Sequence, residues 1–330
     1  MNILFTLNDA FVPQVATCMC SIFENNQSAE NIAIYLVGEK ISEKNKEKLA
    51  EFTQNYDHTI HFIELNDLTE YIDFDFDTNG WSSIVLARLL LDKLLPSDLD
   101  KILYLDGDTL VLDDLSDLWN MDLLEKSIGM GPESTVSAER REFLKMGNQL
   151  YCNAGVLLID LHRWRERRLG KKVLEFYQQH NGNLFANDQD AINGALRDEI
   201  YVLSPRYNFF NIYFSYPYNV LKRLSKPATF ISKEELDVAI SHPAIVHYLG
   251  EERPWRKGNT HKLGKEYLHY LHKTPWKDTP MEEGWQLYFI CFRIFNVVMK
   301  PFPMLRYRII NSLIPSFMKF RKRQLQKRKA

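Results

Sequence analysis

From Trp285 to Ala330 the chain contains no Asp or Glu against 11 Lys and Arg. Residues 1–284 then hold 30 basic and 43 acidic residues, a net charge of −13. The modest total of −2 therefore joins an acidic body to a basic tail, and each needs its own explanation. Cysteine is scarce. Cys18, Cys20, Cys152 and Cys291 form no C-x-x-C pair and no ligand ladder, so reduced thiols in a cytosolic protein are the simpler expectation. The start, MNILFTLNDAF, lacks a basic segment and meets Asp9 early, so no signal peptide is expected. No long apolar run is present either: the tail's apolar stretches are broken by Arg293, Lys300, Pro301 and Pro303, too short for a membrane-spanning helix. Internal repeats and low-complexity linkers are absent.

What is there is an ordinary globular composition, 45% hydrophobic and 25% charged over 330 residues, enough for one large α/β domain or two small ones. NILFTL (2–7) reads as a buried strand ending at Asn8-Asp9, and Pro13 suits the first turn of a helix reaching about Asn25. NIAIYLVG (31–38) and residues 58–65 read as further strands, with Ser42 capping a charged helix over 43–56. Ser82 or Ser83 is expected to cap a helix through SIVLARLLLDKLL, which Pro96 stops. KILYL (101–105) is a fourth strand and CNAGVLLIDL (152–161) another. A long polar helix through LHRWRERRLGKKVLEFYQQH is expected next. NDQDAINGAL (187–196) reads as a turn into a short helix, AIVHYLG (244–250) as a late strand, and 259–273 as helical. Alternating strands and helices imply parallel βαβ units and a doubly wound sheet, which binds ligands at the carboxyl ends of its strands. Asn8-Asp9 and Asp106/Asp108 both fall at such ends.

YLDGDTLVLDDL (104–115) is the most unusual stretch. An apolar strand runs straight into two carboxylates one residue apart, which repel each other unless a cation lies between them. Hard oxygen ligands favour Mg²⁺ or Mn²⁺. A lone D-x-D is equally a solvated turn or cap. Phosphatases of the haloacid dehalogenase type use D-x-D-x-[TV]; here Leu110 fills the last position and Thr109 comes one residue early.

Four motifs in order, YLDGDTLVLDDLSDLW, CNAGVLLIDLHRW, NDQDAING and VHYLGEERPW, resemble those of glycosyltransferase family 8, a retaining family that includes bacterial lipopolysaccharide galactosyl- and glucosyltransferases and glycogenin. The resemblance runs from residue 2 to about residue 275. It implies an α/β fold of glycosyltransferase-A type, a Rossmann-like mixed sheet flanked by helices. The catalytic domain would span 1–280, followed by a helical basic tail over 281–330.

Carried over residue by residue, the resemblance implies that Asp106, Asp108 and His247 ligate a divalent metal, Mn²⁺ or alternatively Mg²⁺, bridging the diphosphate of a UDP-sugar. Taken alone, His247 in an apolar strand reads as a core histidine. Asp106, Gly107, Gly250 and Arg253 would lie along the donor diphosphate, Arg253 standing where a lysine is usual. Asn8 and Asp9 would meet the uridine, although Asn8 replaces a common acidic residue and Ala10 a frequent asparagine. Arg88 would contact diphosphate and sugar; its bland alternative is a solvated helix arginine, disfavoured by apolar neighbours. Asn153, Asp188 and Glu133 would hold sugar hydroxyls, with Gln189 beneath the reactive face. The alternative for NDQD is a helix cap, with Asn187 capping while Asp188 points inward.

The expected reaction moves a hexose, Gal or Glc, to a saccharide or lipid-linked acceptor with retention. Gln189 is a poor nucleophile and points to same-face attack, while Asp188 and Asp190 keep double displacement open. The tail mixes aromatic, aliphatic and basic residues, which fits an amphipathic segment on the anionic inner face of the cell membrane. A helix packed on the acidic body and a nucleic-acid contact are the other readings of the tail, and no nucleic-acid fold is seen. A non-catalytic UDP-sugar-binding protein and a metal-dependent phosphatase are the competing readings of the whole chain.

Overall fold

The computed structural model describes residues 1–78 and 83–329. Among them the strands are β1 (Asn2–Asn8), β2 (Ala33–Glu39), β3 (Thr59–Glu64), β4 (Lys101–Leu105), β5 (Thr109–Val111), β6 (Ile128–Pro132), β7 (Cys152–Asp160), β8 (Ile200–Val202) and β9 (Ile245–His247). Seven of them form one sheet in the order β3-β2-β1-β4-β7-β6-β8, and β5 pairs with β9 in a separate ribbon. The sheet is the partition of the core. Ile3, Phe5, Leu7, Leu103, Leu105, Val156 and Leu158 face one apolar cluster. Leu4, Ile102, Tyr104, Leu157 and Ile159 face the other. Period-two alternation thus sends every second side chain to each side, and both sides are covered, so the strands read as unbroken apolar runs.

The doubly wound expectation holds only for part of the sheet. β3, β2, β1 and β4 are parallel, but β7 runs antiparallel to both β4 and β6, giving a mixed sheet. A strand buried on both faces has the same composition in either direction, so the sequence of β7 carried no signal of its polarity. The reversal matters for the site. The amino end of β7, with Asn153, comes to the same sheet edge as the carboxyl ends of β1 and β4. The amide of Asp106 donates to Gly155 O at 2.8 Å across that edge.

Two expected helices are broken. Ser83–Leu89 winds as a 3-10 helix, followed by a short α-helix over Leu91–Leu94; Ser82 lies outside the described residues. Three residues per turn put Val85 and Arg88 on one side, and Arg88 Nε donates to Val85 O at 3.2 Å. The polar helix divides into Leu161–Glu166 and Leu169–Gln179, with Arg168 left-handed at φ 52° between them. The second piece turns there to press Gly170 against Leu91–Leu94's Asp92, where a Cβ would lie 2.6 Å from Asp92 Oδ1. Ser42 does cap its helix, Glu43–Gln54, accepting from the Asn45 amide, and Pro13 stands in the first turn of Val12–Asn25.

The chain ends in helices Gln286–Met299 and Pro303–Lys329. Phe289 and Met299 are buried, and Arg306 is buried with its guanidinium over the Tyr216 ring. No helix among the described residues is long and apolar enough to cross a membrane.

Candidate active site

At the shared sheet edge lies a cleft of about 280 Å³. Its wall includes Asn8 from β1, Val85 and Arg88 from the 3-10 helix and Asp106, Gly107 and Asp108 from the turn after β4. Asn153, Asp188 and Gln189, His247, Gly250 and Arg253 complete it. Segments far apart in sequence meet because the carboxyl ends of β1 and β4 and the amino end of β7 reach one edge, beside the β5–β9 ribbon. Asp9 and Glu133, expected at the donor, do not line the cleft. Asp9 Oδ1 accepts from the Ser42 amide at 2.8 Å, Ser42 Oγ at 2.9 Å and Asn45 Nδ2 at 2.8 Å, which ties the end of β1 to the helix Glu43–Gln54.

Asp106 and Asp108 sit in a tight turn closed by the Thr109 amide and hydroxyl on Asp106 O. β5 then pairs with β9 so that Thr109 stands opposite His247. That register delivers the imidazole to the carboxylates: Nε2 lies 3.2 Å from Asp108 Oδ1 and 3.7 Å from Asp106 Oδ2. One donor atom from each of the three residues falls within 4.8 Å of the others, the spacing of ligands around a small cation. Two further observations fit a divalent ion. His247 Nε2 is buried without a hydrogen-bond partner, and the ring occupies space that only Gly155 leaves free, since a Cβ there would lie 2.0 Å from His247 Cε1. Two carboxylates and an imidazole suit a first-row divalent metal.

Each aspartate also has an arginine. Arg88 Nη2 donates to Asp106 Oδ1 at 2.7 Å and Arg253 Nη2 to Asp108 Oδ2 at 3.0 Å. Burial pushes the Asp108 carboxyl up, but His247 and Arg253 more than reverse this and hold it at about 2. Arg88 is no solvated helix residue: it is 5% exposed. Its Nη1 donates to Ala154 O at 2.6 Å, its Nε lies 3.1 Å from Asp188 Oδ2, and its guanidinium lies over the Tyr104 ring. Tyr104 in turn donates to Asp106 Oδ1 at 2.6 Å. Burial raises Asp188 to about 6, with Arg88 opposing.

On the other side of the cleft, the Gln189 and Asn153 side-chain amides are held by several hydrogen bonds. Gln189 Oε1 accepts from Asn153 Nδ2 and the Ala154 amide, each at 3.0 Å, while Nε2 donates to Glu133 and Tyr151. Asn153 Nδ2 also donates to Glu133 Oε2 at 3.0 Å. The helix Asn187–Leu196 is not capped by Asn187, whose φ is 41° and whose side chain donates to Thr78 O. Asp190 reaches back to the Ala186 amide instead, at 2.9 Å, and its carboxylate is gripped by Arg140 and Tyr151. Asp190 is thus committed to holding this helix start. Gly250 has φ 72° with open space around it, a left-handed backbone suited to glycine.

Sequence reasoning did not find Asn208, Tyr104, Arg140 or Tyr151. Tyr104 opens the first motif but reads there only as a buried strand residue, and the other three lie outside the four motifs. Asn208, Arg140 and Tyr151 act through bonds to His247 and Asp190, 39 to 50 positions further along the chain, and composition gives no pointer to such pairs.

The sheet and this edge define a class, the glycosyltransferases of A-type fold. The chain is similar over 87% of its length to the solved galactosyltransferase LgtC in complex with donor and acceptor sugar analogues, covering 99% of that chain at 25% identity and a TM-score of 0.68. The family profile described as Glycosyl transferase family 8 matches residues 2–259, and the chain belongs to that family. Among curated relatives, it is 27% identical over 279 residues to General stress protein A of Bacillus subtilis, covering 84% of this chain and 94% of that one. It is also 26% identical over 284 residues to a lipopolysaccharide 1,2-glucosyltransferase of Escherichia coli, covering 84% and 79%. The phosphatase reading ends here, and Leu110 is explained as a buried residue of β5.

Proposed function

We propose that this glycosyltransferase moves a hexose, glucose or galactose, from a UDP-sugar to a saccharide or lipid-linked acceptor in bacterial surface polysaccharide synthesis, with retention at the anomeric carbon. The observation that carries the reading is the convergence of Asp106, Asp108 and His247 at one wall of the cleft with Arg88 and Arg253 beside them. Mn²⁺ is the ion that best suits this ligand set; when bound it supplies Lewis-acid stabilisation of the departing diphosphate. The protein's own part is to orient the donor and add positive charge at the leaving group through Arg88 and Arg253. With both arginines and the three ligands assembled, a decayed binding protein is the weaker reading.

Retention by double displacement demands a carboxylate nucleophile. Asp190 faces Arg140 and Tyr151, Gln189 is a neutral amide, and Asp188 is paired with Arg88. Same-face attack by the acceptor hydroxyl is therefore favoured. The test is transfer from UDP-Glc and UDP-Gal to a panel of core oligosaccharides, read by the anomeric proton of the product. An α-linked product supports the reading, and a β-linked one overturns it.

The tail brings the enzyme to the inner membrane face. In Gln286–Met299, Phe289, Phe292, Asn296 and Met299 recur at helical spacing on the inward stripe. Leu287, Ile290, Ile294 and Val297 form an outward one, Leu287 and Val297 being about 70% exposed at 72% and 69%. A helix apolar on two sides, followed by a basic segment, suits a lipid surface. Sedimentation with phosphatidylglycerol vesicles tests this: replacing the four outward residues by serine should release the protein, and unchanged binding would sink the idea.

A further inference from the structure

We propose that Asn208 is a positioning residue for the cation site, holding the His247 imidazole in the tautomer that leaves Nε2 bare toward Asp106 and Asp108. This rests on reading those three residues as metal ligands.

Hydrogen-bond polarity carries the argument. A backbone N–H can only donate, so the Gly155 amide, 2.9 Å from Asn153 Oδ1, fixes that atom as the acceptor. Asn208 presents its amide nitrogen to the same oxygen at 3.0 Å. Its Oδ1 is thereby turned to His247 Nδ1, 2.9 Å away. An amide oxygen only accepts, so Nδ1 carries the proton, and in a neutral imidazole Nε2 is then a free lone pair. Nε2 is the buried atom without a partner. Three links thus transmit the polarity of one β7 peptide to the metal-facing nitrogen.

The surroundings leave the relay little freedom. Asn208 is fully buried and Asn153 is 4% exposed. The backbones on either side are locked, since the Phe209 amide donates to Ile245 O and the His247 amide to Phe209 O, each at 2.8 Å. Gly131 makes room, because a Cβ there would lie 2.7 Å from Asn208 Cβ. Histidine ligands to metals commonly donate their second nitrogen to an acceptor that sets ring orientation, and losing it typically costs about 10–100-fold in affinity. Here the acceptor is a neutral amide, itself aimed by Asn153. Asn153 also donates to Gln189, so one side chain registers both walls of the cleft.

The full-length protein without metal, labelled at histidine nitrogens, gives the first readout: His247 Nδ1 is expected to carry a proton, and a ring whose only proton sits on Nε2 overturns the proposal whether or not metal binds. Mn²⁺ alone, titrated by electron paramagnetic resonance, gives the second. Asn208→Ala should weaken Mn²⁺ binding by about 10–100-fold. Asn208→Asp keeps an acceptor for Nδ1 but loses the donor to Asn153 Oδ1, so its loss should be smaller than that of Asn208→Ala. Equal affinity in all three proteins, or equal loss in both variants while circular dichroism remains native, contradicts the assignment. A native protein that binds no Mn²⁺ overturns the metal reading and the cation-site role with it, whereas native Mn²⁺ binding with equal affinities in the variants overturns the positioning role alone.

Discussion

Arg88 lies between two carboxylates from segments 82 positions apart, Asp106 at 2.7 Å and Asp188 at 3.1 Å. One buried guanidinium therefore joins the Asp106–Asp108–His247 wall of the cleft to the helix that carries Asp188. Arg88→Met removes the positive charge and leaves Asp106 and Asp188 facing each other in a largely dry wall. Removing one partner of a buried pair costs about 3–5 kcal/mol, so urea unfolding should show a loss of that order. Adding Asp188→Asn should restore part of it through non-additivity; a single variant as stable as the native protein would contradict the arrangement.

Gly155 tests the space for the imidazole. A Cβ 2.0 Å from His247 Cε1 forces the ring aside, and overpacking of this kind costs about 1–3 kcal/mol. Gly155→Ala should weaken Mn²⁺ binding at least about tenfold, because ring orientation sets the ligand. Gly250→Ala is the control: its Cβ meets nothing within 4 Å, so it should strain only the backbone, by about 1–2 kcal/mol. Mn²⁺ titration of both variants checks the difference.

Stability should fall in mild acid partly through His261. Burial lowers its pKa to about 4 from the ordinary 6.5. The unfolded chain takes up the proton first, so this contribution is fully present above pH 6.5 and is lost as pH falls toward 4. The full effect is up to about 3 kcal/mol. His261→Gln should flatten the unfolding profile between those values, and an unchanged slope would show that other groups govern it.

Many of the cleft residues were legible because Asp106 and Asp108 follow an apolar strand at its end and three further motifs, carrying Asn153, Asp188 and His247, recur in order along the chain. The elements of the parallel half of the sheet were legible for a related reason: β1, β2 and β4 are short apolar runs punctuated by turns. The direction of β7 was not, since a strand buried on both faces looks alike in both orientations. The 3-10 winding around Arg88 was hidden because SIVLARLLLDKLL is apolar nearly all round, and its periodicity does not tell three residues per turn from 3.6. Asn208 was invisible for a different reason. Its role lies wholly in which way its amide points, and that is decided by Gly155, 53 positions before it in the chain.

The most direct test of the account is release of UDP from a panel of UDP-sugars, in the presence of Mn²⁺ or EDTA and without acceptor, by the native protein and Asp106→Asn. Slow hydrolysis of one UDP-hexose is expected with Mn²⁺, abolished by EDTA and reduced about 10²–10³-fold by the substitution. Where the acceptor is obligatory, calorimetry replaces turnover and should show Mn²⁺-dependent binding of one donor that the substitution removes. Hydrolysis or binding indifferent to both EDTA and Asp106→Asn would contradict the account.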